Sequence, residues 1–301
     1  MKLFFQKDYF EDEFNNDNKN DLEQKRNWCE RNLIIKDPNS SRLYYLWEII
    51  FLVAFLISIV LVPYTSCRGN EIEYILDRYT KELEIFIDVV WIINITLSFL
   101  TPYEQDMGLS DRFVDIARNY MVPGFVFDVL STLTIIFQYE NQNLYYLKFL
   151  RAYYFPRSMN ILSRVINPIV NWCKISKQAR SNVQSIFSQF IILFTIMHMV
   201  ACGWIYIGER EGWGTWLTND NFNVSKANGD GTTIYITSLY WVVTTLTTVG
   251  YGDIYGTTEE EYIYTMIVEF IGILVFSIIM STVNSFLSAQ GDIDIVEAKS
   301  D

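Results

Sequence analysis

Apolar and polar stretches alternate along this chain in blocks of membrane length. The residues before position 43 are polar, and apolar runs near the roughly 20 residues that span a bilayer follow them. We predict spanning helices over 43–62, 83–100, 120–137, 144–165, 182–207 and 261–288, with a shorter re-entrant helix over 233–246. The pattern is that of an all-α integral membrane protein whose six spans put both termini on one side.

The same pattern predicts how the chain is organised. The segments are an N-terminal arm (1–42), a four-helix bundle (43–165), an interfacial linker (166–181), a second helical domain that contains the re-entrant helix (182–288) and a short tail (289–301). Proline lacks a backbone donor, so we expect Pro63 to stop the first helix and Pro156 to kink or break the fourth.

Composition narrows the class of function. Half of the 301 residues are hydrophobic, and the formal net charge of −12 argues against a nucleic-acid partner. The four cysteines lack metal-site spacing, and no nucleophile and base fall at matching depth. We therefore expect neither an enzyme nor a bound cofactor. No signal peptide or presequence is evident, so a multi-pass protein among membrane lipids is predicted, in the plasma membrane or an organelle membrane.

Five residues after the re-entrant helix carry the most informative pattern: Thr248, Val249, Gly250, Tyr251 and Gly252. This Thr-Val-Gly-Tyr-Gly run resembles the potassium selectivity filter, in which backbone carbonyls replace the water around an ion. Successive carbonyls point one way only if dihedrals alternate in hand, and the two glycines adopt positive φ at low cost. The intervening Val and Tyr side chains are then expected to wedge the strand from behind. The alternative is an ordinary glycine-rich loop.

Acidic residues follow the predicted filter. Asp253 is expected to brace Tyr251 and the re-entrant helix. Glu259 to Glu261 either raise the cation concentration at the outer mouth or form a solvated loop. Between the fifth helix and the re-entrant helix, Asn223 lies in an Asn-Val-Ser sequon and would accept a glycan on the extracellular side.

The fourth helix carries cations at a regular spacing. Lys148, Arg151 and Arg157 fall on every third position, or a multiple of it, in an apolar background, which is typical of a voltage sensor. Asp88 and Asp128 on preceding helices offer buried counter-charges. The alternative is a headgroup face on which the long side chains reach water. Three charges in each of four subunits would supply at most roughly 28 kcal/mol per 100 mV, so we predict weak voltage sensitivity.

The last helix holds candidate gating positions. Gly272 is a possible hinge, and Thr282 and Phe286 recur at helical spacing near the inner end, where a gate or plain helix packing would explain them. Glu269 is an acid at membrane depth, which would brace the filter or be held protonated. His198 in the fifth helix is interpreted as a packing and hydrogen-bonding residue behind the pore.

Residues 43–290 resemble the six-helix cation channels of the ether-à-go-go, hyperpolarisation-activated and cyclic-nucleotide-gated superfamily. The motifs that carry the resemblance are Tyr240–Trp241, Thr244–Asp253, His198 with Ala201–Cys202, Asp88 with Phe99, and Phe127–Leu130. The resemblance implies a homotetramer or heterotetramer around one pore, in which 43–165 is a voltage-sensor-like four-helix domain and 182–288 is the pore domain. An outward-facing filter and the Asn223 sequon then place the arm 1–42 and the tail 289–301 in the cytoplasm. It also implies that potassium ions bind the backbone carbonyls of Thr248, Val249, Gly250 and Tyr251.

The chain departs from that family in three respects. Asn94 stands where a second acid is usual in the second helix, and the fourth helix has Tyr154, Asn160 and Ser163 where the family has cations. The family's cyclic-nucleotide-binding domain does not follow in this sequence, so we do not expect cyclic-nucleotide binding by that route. A potassium channel is the first hypothesis. The alternatives are a non-conducting structural or regulatory subunit of a larger complex with auxiliary partners, and a nonselective cation channel.

Overall fold

The computed structural model describes residues 34–35, 41–67, 74–105, 108–110, 112–137, 142–172, 177–211, 214–218 and 231–298. These residues are mostly helical. In chain order the elements are α1 (Arg42–Cys67), α2 (Tyr74–Ser98), β1 (Tyr103–Gln105), β2 (Gly108–Ser110), α3 (Phe113–Tyr120), a π-helical turn (Met121–Phe125), α4 (Val126–Phe137), a 3₁₀ helix (Gln142–Tyr154), α5 (Phe155–Trp172), α6 (Lys177–Glu211), α7 (Gly231–Leu246) and α8 (Glu259–Ala298).

The first helix does not stop at Pro63, so that prediction is wrong. Helix α1 continues through the proline to Cys67. Two hydroxyls in its last turn bond to the backbone there: Thr65 Oγ1 donates to the Leu61 carbonyl at 2.9 Å, and Ser66 Oγ donates to the Val62 carbonyl at 2.7 Å. Side-chain hydroxyls are a known way to support a proline within a membrane helix.

The described parts of the predicted linker and acidic tail are also helical, so the helices there extend beyond their predicted ends. Helix α5 runs on to Trp172 with Pro168 inside it, and α6 already begins at Lys177. Helix α8 extends ten residues beyond the predicted end at Ser288, to Ala298. Polarity ends a membrane span but does not end a helix, because charged residues such as Lys and Glu have good helix propensity.

The connection between the second and third predicted helices contains a small antiparallel hairpin that the sequence pattern missed. Strand β1 pairs with β2 in the register Tyr103↔Ser110. The third predicted helix is in turn divided, because Val122 leaves helical geometry (φ −134°, ψ 121°) just before Pro123. Proline disfavours helical geometry in the residue before it, which explains the position of the kink.

Three helices in the described part of the chain are long and apolar enough to cross a bilayer: Arg42–Cys67, Gln184–Arg210 and Glu259–Ser281. Other described helices are too short or too polar to meet both requirements. Helix α2 carries charged residues that include Lys81, Glu82, Glu84 and Asp88, whereas the 3₁₀ helix has only 13 residues and α4 only 12. That these too cross the membrane stays a prediction.

The chain forms two compact units, Met1–Trp47 with Ile92–Val126 and Glu48–Trp91 with Phe127–Asp301. The first unit contains the hairpin and a cluster of aromatic rings. Phe99 meets Tyr120 edge-on at 4.9 Å between ring centroids. The second unit contains both groups of candidate functional residues, the filter segment and the charged 3₁₀ helix.

Candidate functional site

The re-entrant helix α7 is supported by stacked aromatic rings. Trp204 of α6 lies flat against Trp241 of α7, with ring centroids 3.9 Å apart, and Trp216 stacks on Trp204 at 5.5 Å. All three side chains are buried in one apolar cluster with Leu246 at the end of α7. This packing fixes the direction in which the C-terminal end of α7 points.

The backbone that follows α7 alternates in hand. Thr248, Gly250 and Gly252 have φ values of 61°, 52° and 72°. The two glycines thus adopt the positive φ that a carbonyl-lined filter requires of them. Thr248 joins them, although positive φ is uncommon for a β-branched residue. Every second residue is therefore left-handed, so successive carbonyls can face the same side.

Hydrogen bonds attach this segment to the end of α7. The Thr244 carbonyl accepts from the amides of Val249 at 2.9 Å and Gly250 at 3.0 Å. The Thr247 amide donates to the Val243 carbonyl at 3.0 Å. The last carbonyls of a helix lack helical partners, and these bonds supply them. The negative end of the α7 dipole lies beside the segment, which favours a cation there.

A single chain does not cover the side chains of the predicted filter. Val249 is 53% exposed and Tyr251 is 71% exposed. The expectation that both wedge the strand from behind is therefore not met within one chain. Contacts of that kind would have to include neighbouring copies.

Asp253 is held against the re-entrant helix. Its Oδ2 accepts a hydrogen bond of 2.7 Å from Tyr240 Oη on α7, and its Oδ1 accepts one of 3.1 Å from the Ile254 amide. The carboxylate thus connects the residue just beyond the filter segment to the middle of α7.

Glu261 begins the last helix in a way that the sequence analysis missed. Its Oε2 accepts from the Thr258 amide at 3.3 Å, while the Thr258 hydroxyl accepts from the Glu261 amide at 3.3 Å. This reciprocal pair is a capping box, Thr-x-x-Glu, and it satisfies two amides at the start of α8. The motif is readable in the sequence as Thr258-Glu259-Glu260-Glu261.

The Glu261 carboxylate also joins three segments at the outer end of the pore domain. Its Oε1 accepts from the Trp216 amide at 3.1 Å, and its Oε2 accepts from the Thr257 amide at 2.7 Å. Glu261 is fully buried, whereas Glu259 and Glu260 are exposed. A solvated loop is therefore the wrong interpretation for Glu261. Glu259 and Glu260 are exposed in the first turn of α8, and an effect of their charges on the cation concentration stays a prediction.

The charged residues of the fourth predicted helix lie on a 3₁₀ helix. This helix has three residues per turn, so side chains three apart eclipse one another. Lys148, Arg151 and Tyr154 consequently form one straight row, and all three are buried. The α-helix α5 begins at Phe155, so Pro156 lies in a first turn, where its missing donor costs little. The predicted kink or break at Pro156 is not found: the 3₁₀ helix is followed without a gap by α5, and only the helix type changes.

Two acids on α2 meet the first two members of that row. Lys148 Nζ lies 3.3 Å from Asp88 Oδ2 and 3.4 Å from Glu84 Oε2, and Arg151 Nη2 bonds to Asp88 Oδ1. The Arg151 guanidinium also lies 4.7 Å from the ring centroid of Trp91. Two cations and two carboxylates therefore balance within this buried cluster. Glu84 was not among the predicted residues, although its position four before Asp88 places it on the same helix face.

The remaining predicted sensor residues have aromatic neighbours. Asp128 accepts a hydrogen bond from Tyr154 Oη. The Arg157 guanidinium lies 5.0 Å from the ring centroid of Phe51 and 5.8 Å from that of Tyr154. Tyr154, the third member of the row, therefore bonds to Asp128, which the sequence analysis predicted to be the counter-charge of a cation.

A further ion pair joins α5 to α1. Arg164 Nη2 is 2.6 Å from Glu48 Oε1, and Glu48 is buried. The sequence analysis gave neither residue a role, because Arg164 falls one position away from the three-residue register.

Three candidate sites in the pore domain have different outcomes. Gly272 packs tightly: a Cβ added there would lie 3.1 Å from Leu246 Cα and 3.2 Å from the Leu246 carbonyl oxygen. The structure thus gives this glycine a close-packing role against the end of α7. The side chains of Thr282 and Phe286, and the whole of Asn223, lie outside the described residues.

His198 connects three helices of the second unit. Its Nε2 lies 2.8 Å from the Val60 carbonyl of α1, and its Nδ1 lies 2.7 Å from Tyr235 Oη of α7. A carbonyl only accepts, so Nε2 carries the proton and Nδ1 accepts from the tyrosine in the neutral ring. The residue is buried and hydrogen-bonded on both sides, as the packing interpretation predicts.

A helical membrane protein with a re-entrant helix that ends at an alternating backbone loop belongs to the ion-channel class. The particular family is identified by sequence: residues 44–290 match the family described as ion transport protein, to which the chain belongs. This match covers the segment predicted to resemble six-helix cation channels.

Several curated relatives are potassium channels of animals and of a plant. The chain is 24% identical over 264 residues to a rat voltage-gated delayed rectifier potassium channel, KCNH4, covering 80% of this chain and 25% of that protein. It is 22% identical over 269 residues to the potassium voltage-gated channel unc-103 of Caenorhabditis elegans, covering 80% and 31%. It is 27% identical over 241 residues to the potassium channel KAT1 of Oryza sativa subsp. japonica, covering 74% and 31%.

These comparisons confirm the resemblance to ether-à-go-go-type channels and the placement of the chain in a membrane. They also confirm that the protein is a channel homologue and not an enzyme. The chain spans about a quarter to a third of the length of these three relatives, 25% to 31%.

Proposed function

We propose that this protein is a potassium-selective transmembrane channel, in which four copies of the chain surround one pore. The observation that carries the proposal is the alternation of positive φ at Thr248, Gly250 and Gly252, directly after the end of α7. Rings of carbonyls from four such loops replace the hydration shell of potassium. Potassium ions are then permeant ligands of the Thr248, Val249, Gly250 and Tyr251 carbonyls.

Surface chemistry supports assembly into a tetramer. Helix α8 exposes large apolar side chains over several turns in the single chain, among them Phe270 at 72% and Leu274 at 65%. Glu269 is exposed on the same helix. Acids at membrane depth face other protein rather than lipid, because facing hydrocarbon is costly. Neighbouring copies would cover both the apolar surface and this acid.

The buried charge row supports a voltage sensor of limited capacity. Lys148 and Arg151 lie in the row, Tyr154 occupies its third position, and Arg157 follows on α5. We therefore expect a conductance–voltage curve that is shallower than that of a sensor with a cation at each position of the row. The measurement is the slope of that curve in planar bilayers. A slope equivalent to more than about twelve elementary charges, three in each of four subunits, would contradict the assignment.

Two alternatives remain on specific grounds. A tyrosine in place of a cation in the charge row is compatible with a non-conducting subunit of a larger complex. The alternating backbone argues against it, because a subunit that does not conduct has no physical need for a filter geometry. A nonselective cation channel would not need the two glycines that hold the filter geometry. The potassium channel is favoured because both glycines are present and adopt that geometry.

Potassium flux from proteoliposomes containing the purified chain tests the proposal. Gly250→Ala is expected to reduce flux to background, because alanine at φ 52° is strained and displaces a filter carbonyl. Gly214→Ala is the matched control, since Gly214 also has positive φ (82°) and equally open surroundings but lies outside the filter segment.

The control separates general backbone strain from loss of the filter. Gly214→Ala is expected to retain flux, with both variants checked for tetramers by size-exclusion chromatography. Absence of flux from correctly assembled native tetramers would support the non-conducting subunit instead. If Gly250→Ala passes potassium at the native rate, Thr248–Gly252 is not the selectivity filter.

A further inference from the structure

A cavity of about 110 Å³ lies between α1, the 3₁₀ helix and α6 in the second unit. Phe55 and Ile59 of α1 form one side, Ala152 of the 3₁₀ helix a second, and Thr195 and Met199 of α6 a third. Its wall is almost entirely apolar. None of the filter contacts and none of the acids that pair with the charge row line it.

Four polar residues line the cavity, Ser58, Lys148, Arg151 and Thr195, and three of them have their polar groups bonded outside it. Lys148 and Arg151 send their charged groups to Asp88, so their aliphatic stems line the wall. Thr195 donates its hydroxyl to the Ile191 carbonyl of its own helix at 2.8 Å. A buried water needs two to four polar partners, and an apolar cavity of similar size stays dry and accepts small hydrocarbons instead.

The position of the cavity indicates where a hydrocarbon comes from. Its α1 and α6 walls lie within two of the helices that are apolar enough to span a bilayer. Ala152 and Met199 at its edge are exposed on the surface of the chain. In a membrane, the solvent at that surface is lipid hydrocarbon, so the cavity opens toward acyl chains.

We propose that this cavity is a binding site for the end of a phospholipid acyl chain. An apolar cavity of about 150 Å³ holds one benzene molecule. The space in this protein is smaller, so it suits the terminal methylene groups of one chain and excludes a whole lipid.

The occupant would also bias the charge row, and this consequence rests on the proposed channel function. The stems of Lys148 and Arg151 are part of the wall, and Thr195 and Met199 stand opposite them on the helix that leads to the pore. Axial movement of the 3₁₀ helix would replace the residues in that wall. An acyl chain bound in the cavity therefore favours the arrangement in which both cations meet Asp88.

Cryo-electron microscopy of the full chain in lipid nanodiscs tests the site without measuring conduction. Phosphatidylcholine brominated on its acyl chains is compared with the unbrominated lipid. Bromine density is expected in the cavity of the native protein. Ile59→Phe should fill the space and remove that density, whereas Ile57→Phe should keep it, since Ile57 is equally half-buried on α1 but does not line the cavity.

Ala152→Phe provides a second way to close the site, from the exposed edge, if Ile59→Phe disturbs folding. Absence of bromine density in the native protein, or equal density in the native protein and in a folded cavity-filling variant, would overturn the proposal. Density from bromobenzene in lipid-free detergent without density from the brominated lipid would also overturn the assignment to an acyl chain.

The conductance–voltage midpoint provides the second measurement. Ile59→Phe is expected to shift the midpoint relative to Ile57→Phe, because the filled cavity no longer exchanges its occupant with the bilayer. Bromine density in a protein that passes no potassium would leave the site standing and count against the channel function alone.

Discussion

Replacing Asp88 by Asn is expected to lower the free energy of unfolding by about 3–5 kcal/mol, the usual cost of removing one partner from a buried ion pair. Asp88 is the carboxylate that contacts both Lys148 and Arg151, and all three side chains are buried. Without it, Lys148 keeps Glu84 and Arg151 loses the carboxylate that it contacts. The measurement is the fall in thermal midpoint of the purified protein in detergent.

Glu84→Gln is the matched control for this prediction. Glu84 lies one helical turn from Asp88, contacts Lys148 at 3.4 Å and is more exposed, at 14%. It also accepts a hydrogen bond of 2.6 Å from Tyr145 Oη, which an amide oxygen can still accept. We expect a smaller loss, of about 1–3 kcal/mol. An equal loss for the two variants, or none for Asp88→Asn, would contradict the assignment of Asp88 as the centre of the cluster.

Glu261→Gln is expected to weaken the outer end of the pore domain and to shorten the time for which potassium flux is sustained. The carboxylate accepts from the amides of Trp216, Thr257 and Thr258, whereas a glutamine amide group has one oxygen and a nitrogen that donates. At least one buried amide is left unpaired, at a cost of about 1–3 kcal/mol. The measurement is the decay of flux in proteoliposomes, together with the thermal midpoint of the tetramer.

The adjacent glutamate supplies the control for that measurement. Glu260→Gln removes the same charge one residue away, on an exposed side chain. If flux decay depends on the charge at the outer mouth, the two variants should behave alike. If it depends on the buried contacts, only Glu261→Gln should change it. Identical behaviour of the two variants would contradict the structural role assigned to Glu261.

The filter segment was the part of this protein most open to prediction from sequence. Its chemistry depends on local backbone geometry, and two glycines two residues apart restrict that geometry strongly. Gly250 and Gly252 adopt the positive φ that this reasoning requires. Thr248 does so as well, which propensity alone would not indicate, because a β-branched residue rarely enters that region.

Three features could not be predicted from the sequence pattern: the 3₁₀ helix, the passage of α1 through Pro63 and the burial of Glu261. The 3₁₀ geometry is unusual over 13 residues, and it places Lys148, Arg151 and Tyr154 in a single row. A spacing of three indicates such a row only if the helix type is known. Pro63 was misjudged for a related reason, since the hydroxyls that support it lie after the proline. The burial of Glu261 depends on Trp216, which lies 45 residues away in sequence.

The two groups of functional residues are connected through His198 within the second unit. The imidazole joins the Val60 carbonyl of α1 to Tyr235 of α7, while α1 also lines the acyl-chain cavity beside the charge row. A displacement of α1 would therefore reach the helix that ends at the filter segment. If the proposed sensor and pore are correct, we expect this contact to couple them.

The central claim is that the Thr248–Gly252 backbone selects potassium, and the reversal potential of the reconstituted chain tests it most directly. With potassium on one side of a planar bilayer and sodium on the other, the account predicts a reversal potential close to the potassium equilibrium value. Val249 and Tyr251 are exposed in one chain, so the measurement requires the assembled tetramer. A reversal potential near zero, unchanged when sodium replaces potassium, would contradict the account.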